Sequence, residues 1–207
     1  MTTIYPVLLA VPGYAKNLKG REKVTFLSQH ARRALKISAE HNGIEFHLLP
    51  KDDKGVPMPF QGNFWSVTHK SLYVGGVIAQ EKIGIDIEKI KSCSEGLFEK
   101  TAHDSEWNLA SDPRSRKLFF RFWTAKEAVL KATGIGISGL LKCKIVEIPD
   151  ALHLILYYQN RLWLVEHHFF DGHIASVVQN NFDIQWITIT ESSINDGILM
   201  KGLHLFP

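Results

Sequence analysis

Two short stretches carry side chains whose types and spacing could do chemistry. In IGIDIEK (Ile83–Lys89), alternation sets Ile83, Ile85 and Ile87 on one face of a strand and Gly84, Asp86 and Glu88 on the other. Two carboxylates side by side on one strand face repel each other, which a solvent-facing strand would tolerate but ordinary strand design avoids. A divalent cation removes the penalty, and hard oxygen ligands suit Mg²⁺, which keeps waters and ligand phosphate in its octahedron. The second stretch is FWTAKEAVLKATG (Phe122–Gly134), an amphipathic helix on which Phe119, Phe122, Trp123, Val129 and Leu130 share one broad face. Lys126 projects from that apolar face, with Glu127 and Lys131 at its edge, and an ammonium in such a setting requires an anionic partner. Glu127 could be a third metal-binding carboxylate or an exposed i,i+4 partner of Lys131 worth about 0.3–0.5 kcal/mol. The second reading leaves Lys126 unexplained, whereas a metal–phosphate site accounts for all three residues.

Smaller signals surround these. Thr68 and His69 end an apolar strand, and both could bond a phosphate, although a strand-end histidine is also a common structural residue. Seven cations lie between Lys16 and Lys36, Arg21, Arg32 and Arg33 among them, against Glu22 alone. They form either a solvated helix face or a patch for a phosphorylated ligand or an acidic protein. His167 and His168 are adjacent on a strand and face opposite ways, so they read as hairpin residues rather than a chelate.

The elements that must position these residues follow from periodicity and punctuation. Strands are expected at 4–10, 63–69, 71–79 and 82–90, after a helix over roughly 20–40, with 44–49 extended and a loop beyond it. Segment 91–112 suits short helical turns. The next helix is expected to start at Asp112 and Pro113 and stop at Gly134. Strands at 144–148, 152–159, 161–169, 173–179 and 183–190 complete the chain. The order suggests an α+β protein built as a pseudo-two-fold duplication of two similar halves, residues 1–90 and 91–207, joined near 89–95. Each half would be a small, mostly antiparallel sheet with a packed helix, the active site lying in the cleft between them. The composition, 45% hydrophobic and 22% charged with a net charge of +3, is that of a soluble globular protein and gives no indication of nucleic-acid binding. No apolar run approaches the ~20 residues of a membrane span. The opening MTTIYPVLLAVPGY reads as strand and turn rather than a signal peptide. Cys93 and Cys143, outside any C-x-x-C spacing, suggest a reducing, cytoplasmic setting.

With GIDIE and FWTAKEAVLKATG both in hand, the chain resembles the 4′-phosphopantetheinyl transferases, in particular the long, single-chain, surfactin-synthetase-activating type. That family's marks, G-[IV]-D-[IVL]-E and [FW]-[SCT]-x-K-E-[AS]-x-x-K, are complete here as Gly84–Glu88 and Trp123–Lys131. Thr68–His69 corresponds to a [ST]-H pair, and a Gly-Lys-Pro loop reads Gly55-Val56-Pro57, with valine in place of lysine. The resemblance implies transfer of phosphopantetheine from coenzyme A to a serine of an apo acyl or peptidyl carrier protein, releasing adenosine 3′,5′-bisphosphate. It implies that Asp86, Glu88 and Glu127 hold Mg²⁺ against the pyrophosphate. Lys126, Lys131, Thr68, His69, Arg33 and, more loosely, Arg21 would contact coenzyme A. Glu106, in DSEW, matches the position proposed as general base, and the choice between Glu106 and Glu127 stays open. The expected molecule is a monomer. A non-catalytic binder of the same ligands, or another Mg²⁺-dependent phosphotransfer enzyme, is the alternative. The binder is disfavoured by the intact acidic and lysine set, and the other enzyme by the missing Walker or kinase glycine loop.

Overall fold

The computed structural model describes residues 1–45, 49–53 and 55–191. The extended stretch expected at 44–49 therefore falls partly outside the described residues. Strands β1 (Thr2–Ile4) and β2 (Val7–Ala10) replace the single strand expected at 4–10. Pro6, which lacks an N–H, separates them, and each finds its own partner. Helix α1 (Gly20–His41) follows, then β3 (Phe64–His69), β4 (Tyr73–Ala79) and β5 (Ile85–Lys89). Short helices α2 (Glu95–Thr101) and α3 (Asp104–Trp107) lead to α4 (Arg116–Thr133). Six strands close the described chain: β6 (Lys144–Glu147), β7 (His153–Tyr158), β8 (Arg161–Phe170), β9 (His173–Val178), β10 (Phe182–Ile184) and β11 (Ile187–Ile189).

The fold is α+β, with two larger, mostly antiparallel sheets that each carry one long helix. The four-stranded sheet runs β11-β2-β4-β3 and the five-stranded one β5-β9-β8-β7-β6, while β1 and β10 form a parallel pair. The sheets do not divide at residue 90. Strand β5 pairs with β9, and β10 and β11 return to β1 and β2. This exchange interlocks the two layers around β5, the strand that carries the acidic motif.

Alternation on β5 holds as expected. Ile83, Ile85 and Ile87 are buried, and the side chains of Ile85 and Ile87 border Gly75 of β4. The opposite face meets α4 so closely that a side chain at Gly84 would overlap the carbonyl oxygen of Ala128. Gly76 has the same function on the other layer, because a Cβ there would overlap the backbone of Leu35 on α1. The larger core lies between α4 and the five-stranded sheet and includes Phe122, Val129, Leu130, Leu156 and Val177. A second core lies under α1, around Val7, Leu9, Ala31, Ala34 and Val74.

Helix α4 begins later than the expected Asp112–Pro113 start. The Asp112 carbonyl is taken by the Ser115 N–H in a turn, and Ser115 Oγ then accepts from Leu118 N at 3.3 Å, as a side-chain cap does. Its other end is as expected: Gly134 has φ 72°, the left-handed conformation that stops a helix. Among the described residues no helix is long and apolar enough to cross a membrane. Both cysteines are free. His167 is buried and bonded to Ser176, whereas His168 stacks on Trp186, so the pair does face opposite sides of β8.

Candidate active site

Three elements converge along β5. Strand β3 brings Thr68 and His69, and its following turn brings Lys70. Strand β5 brings Asp86 and Glu88, and α4 brings Glu127 and Lys131. Asp86, only 6% of whose side chain is exposed, is the hub. Its Oδ1 accepts from Thr68 Oγ1 at 3.1 Å and from Lys131 Nζ at 2.8 Å. Lys131 is held a second time by the Ile85 carbonyl at 3.0 Å. Asp86 Oδ2 is buried and has no partner among the described residues. Glu88 Oε1 accepts from Lys70 Nζ at 2.6 Å.

The electrostatics bind the cluster together. Burial and the charge of Asp86 push the Glu127 carboxyl above its ordinary 4.5, with Glu88 adding to the effect and Lys131 and Lys70 opposing it. His69 is held below 6.5 by burial and by the ammonium groups of Lys131, Lys70 and Lys51. Burial disfavours the charged form of Lys70, yet the hydrogen bond and charge of Glu88, with help from Asp86 and Glu127, raise its pKa above 10.5. The site therefore groups three carboxylates with Lys70 and Lys131, beside an imidazole whose charged form is disfavoured.

These donors fit a divalent cation of the hard, oxygen-preferring kind. An unpartnered buried carboxylate oxygen costs free energy that a cation would recover, and the crowding that raises Glu127 marks surplus negative charge. The cage is not preformed. Among the described residues no three His, Cys, Asp or Glu side chains already stand as a metal-holding group. Ammonium groups occupy one oxygen each of Asp86 and Glu88 instead.

Lys126 has a different partner from the ligand phosphate implied by the resemblance. Its side chain is fully buried, and its Nζ lies 2.6 Å from Glu106 Oε1 and 2.8 Å from the Thr101 carbonyl. Burial lowers its pKa, opposed by the charge and hydrogen bond of Glu106. Glu106 is equally committed. Its Oε1 also accepts from Ile145 N at 2.8 Å, and its Oε2 accepts from His103 N at 2.9 Å in a capping box on α3. With 3% of its side chain exposed and both oxygens engaged, Glu106 presents no oxygen to an incoming hydroxyl. The pair ties α2, α3 and β6 to α4, and of the two glutamates it is Glu127 whose charge couples to Asp86 and Glu88.

Arg21 and Arg33 are exposed on α1, and among the described residues no hydrogen bond or ion pair joins either to the cluster. Sequence reasoning assigned no role to Lys70 or Lys51. Lys70 directly follows Thr68–His69, and a pair of strand acids calls for a nearby counter-charge, so a signal existed for it. Lys51 had none, since its proximity to His69 comes from the loop in which Lys51 pairs with Pro57 and Lys51 Nζ lies 5.8 Å from the Trp65 ring centre. Val56 packs toward Gly134 at the end of α4, an apolar contact that a lysine would not make in the same way.

Comparison with known proteins agrees with the motifs. Residues 82–178 match the family model of the 4′-phosphopantetheinyl transferase superfamily. The chain is 36% identical over 94 residues to the 4′-phosphopantetheinyl transferase HetI of Nostoc sp., covering 42% of this chain and 40% of that protein. It is 31% identical over 131 residues to psf-1 of Bacillus pumilus, a protein of the same designation, covering 56% of each chain. A third relative, gsp of Aneurinibacillus migulanus, is 24% identical over 155 residues, 72% of this chain and 65% of its own length. The chain thus spans less than two thirds of the length of these relatives. The matched stretch, a little under half of the chain, contains β5, α4 and every carboxylate of the cluster, and there the chain is similar to the 4′-phosphopantetheinyl transferase superfamily.

Proposed function

We propose that the protein is a long single-chain member of the 4′-phosphopantetheinyl transferase superfamily and transfers 4′-phosphopantetheine from coenzyme A to a serine of an apo acyl or peptidyl carrier protein, with Mg²⁺. The observation that carries this reading is the buried Asp86, one oxygen held by Lys131 and Thr68 and the other unpartnered, beside Glu88 and Glu127. Asp86, Glu88 and Glu127 would hold Mg²⁺, which supplies charge neutralisation on a pyrophosphate. The serine oxygen forms a bond to the β-phosphorus of coenzyme A and the phosphoanhydride bond breaks. Adenosine 3′,5′-bisphosphate leaves, and the serine proton passes to a base. Lys131, anchored on the Ile85 carbonyl, and the hydroxyl of Thr68 present donors to phosphate oxygens, and the lysines disfavour the charged form of His69. Of the two glutamates considered as base, Glu106 has both oxygens engaged, which leaves Glu127.

Such transfer depends mainly on positioning and electrostatics. The exposed cations of α1, Arg21 and Arg33 among them, would meet the 3′-phosphate, and the net charge of +3 suits an acidic carrier. We extend the same reading to a monomeric, cytoplasmic protein whose halves, residues 1–90 and 91–207, flank the cleft, and which has no nucleic-acid or membrane partner. Coenzyme A consumption followed by chromatography tests the reaction: adenosine 3′,5′-bisphosphate should accumulate only with Mg²⁺ and an apo carrier present. Accumulation without a carrier, or none with any carrier, would overturn the proposal.

A further inference from the structure

Two lysines neutralise the acidic cluster, and they are held very differently. Lys131 is fixed at two points, on Asp86 and on the Ile85 carbonyl. Among the described residues Lys70 has a single side-chain anchor, Glu88 Oε1 at 2.6 Å, and 39% of its side chain is exposed against 15% for Glu88. The root of Lys70 is firm, because its backbone N–H donates to the Tyr73 carbonyl at 2.8 Å across the β3–β4 turn. A long, half-exposed side chain on a fixed root can swing its head group at little cost while remaining within reach of the site. The oxygen it holds belongs to one of the three carboxylates available to a divalent cation.

We infer that Lys70 is an exchangeable counter-ion: it neutralises Glu88 until a divalent cation takes that carboxylate, and its released ammonium then binds phosphate oxygens of the anionic ligand. The inference rests on the metal–pyrophosphate reading given above and adds a residue that its motifs do not contain. Charge counting shows what Lys70 changes. Three carboxylates against Lys70 and Lys131 leave the cluster at −1, and a divalent cation brings it to +1, which attracts a pyrophosphate. With a neutral residue at position 70 the cluster stands at −2, so a cation binds more readily and leaves no excess positive charge. Lys70 should therefore weaken the binding of cation alone and strengthen the binding of anion once the cation is in place. The two ligands become coupled through one side chain.

The test is direct binding to the full chain, with Mn²⁺ as a spectroscopic probe followed by electron paramagnetic resonance and coenzyme A binding followed by calorimetry. Lys70→Gln should bind Mn²⁺ alone about 5- to 10-fold more tightly than wild type, and coenzyme A in saturating Mn²⁺ more weakly by a similar factor. Lys70→Arg, which keeps the charge, should stay within about 2-fold of wild type in the binding of Mn²⁺ alone. Equal Mn²⁺ affinity in wild type and Lys70→Gln would overturn the inference while leaving the metal site intact. Absence of Mn²⁺ binding by wild type itself would overturn the metal reading and this inference with it. Circular dichroism of both variants should match wild type, because a half-exposed ion pair contributes little to folding.

Discussion

Replacing Lys126 by methionine separates the two roles this lysine could have. Methionine keeps most of the aliphatic volume, so the change removes the ammonium without opening a large cavity. The ion pair it breaks is 2.6 Å long, with partners 0% and 3% exposed, and solvent screening is negligible there. Removing one member of such a pair leaves an uncompensated buried charge and costs about 3–5 kcal/mol. Glu106 keeps the N–H groups of His103 and Ile145, which places the expected loss at the lower end, about 3 kcal/mol. For a chain of this size that corresponds to a fall in Tm of about 6–12 °C. Urea denaturation of wild type, Lys126→Met, Glu106→Gln and the double variant measures it, and the double variant should recover at least about 1 kcal/mol relative to the summed single losses. If Lys126→Met melts within about 2 °C of wild type and instead binds coenzyme A poorly, the buried-pair account fails and the lysine returns to the ligand.

Other consequences are equally concrete. Asp86→Ala should lower transfer at least about 100-fold while leaving far-ultraviolet circular dichroism unchanged, since it removes the oxygens on which the site converges. Gly84→Ala should destabilise by about 1–3 kcal/mol or more in urea denaturation, because its methyl group would overlap the Ala128 carbonyl and push α4 off β5. Glu127 titrates above 4.5 in the fold, so its ionised form is disfavoured there. Relative to Glu127→Gln, wild type should lose stability as pH rises from 4.5 through the raised pKa, with no difference between them below 4.5; the opposite trend in urea midpoints would contradict the crowding of acids. The His69 ring should titrate below 6.5 by NMR and move upward in Lys131→Gln, since that variant removes a repelling charge.

How much of this was legible in the sequence depended on the range of the interaction. Alternation alone gave the two faces of β5, and helix periodicity with Gly134 gave the body and end of α4, because both are local properties of the chain. The start of α4 was misplaced by three residues, since Asp112 and Ser115 are equally good caps and only the turn between them decides. The oddity of Lys126 on an apolar face was correctly noticed, and so was its need for an anion. The anion was Glu106, twenty residues away on a four-residue helix that burial holds against β6, and no periodicity reports such a meeting. Sheet partners were likewise invisible: nothing local in IDIEK indicates that β5 pairs with β9 rather than with the strands just before it. Asp86, Glu88, Glu127 and Lys131 could be assembled from motifs, whereas Lys51 required the fold.

The central claim is tested most directly by the mass of a carrier protein. Incubated with this chain, coenzyme A and Mg²⁺, an apo carrier should gain one phosphopantetheine on its serine by intact-protein mass spectrometry, and should gain none when Asp86→Ala replaces the wild-type chain. Unchanged mass across acyl and peptidyl carriers, under conditions where the folded chain binds coenzyme A, would contradict it.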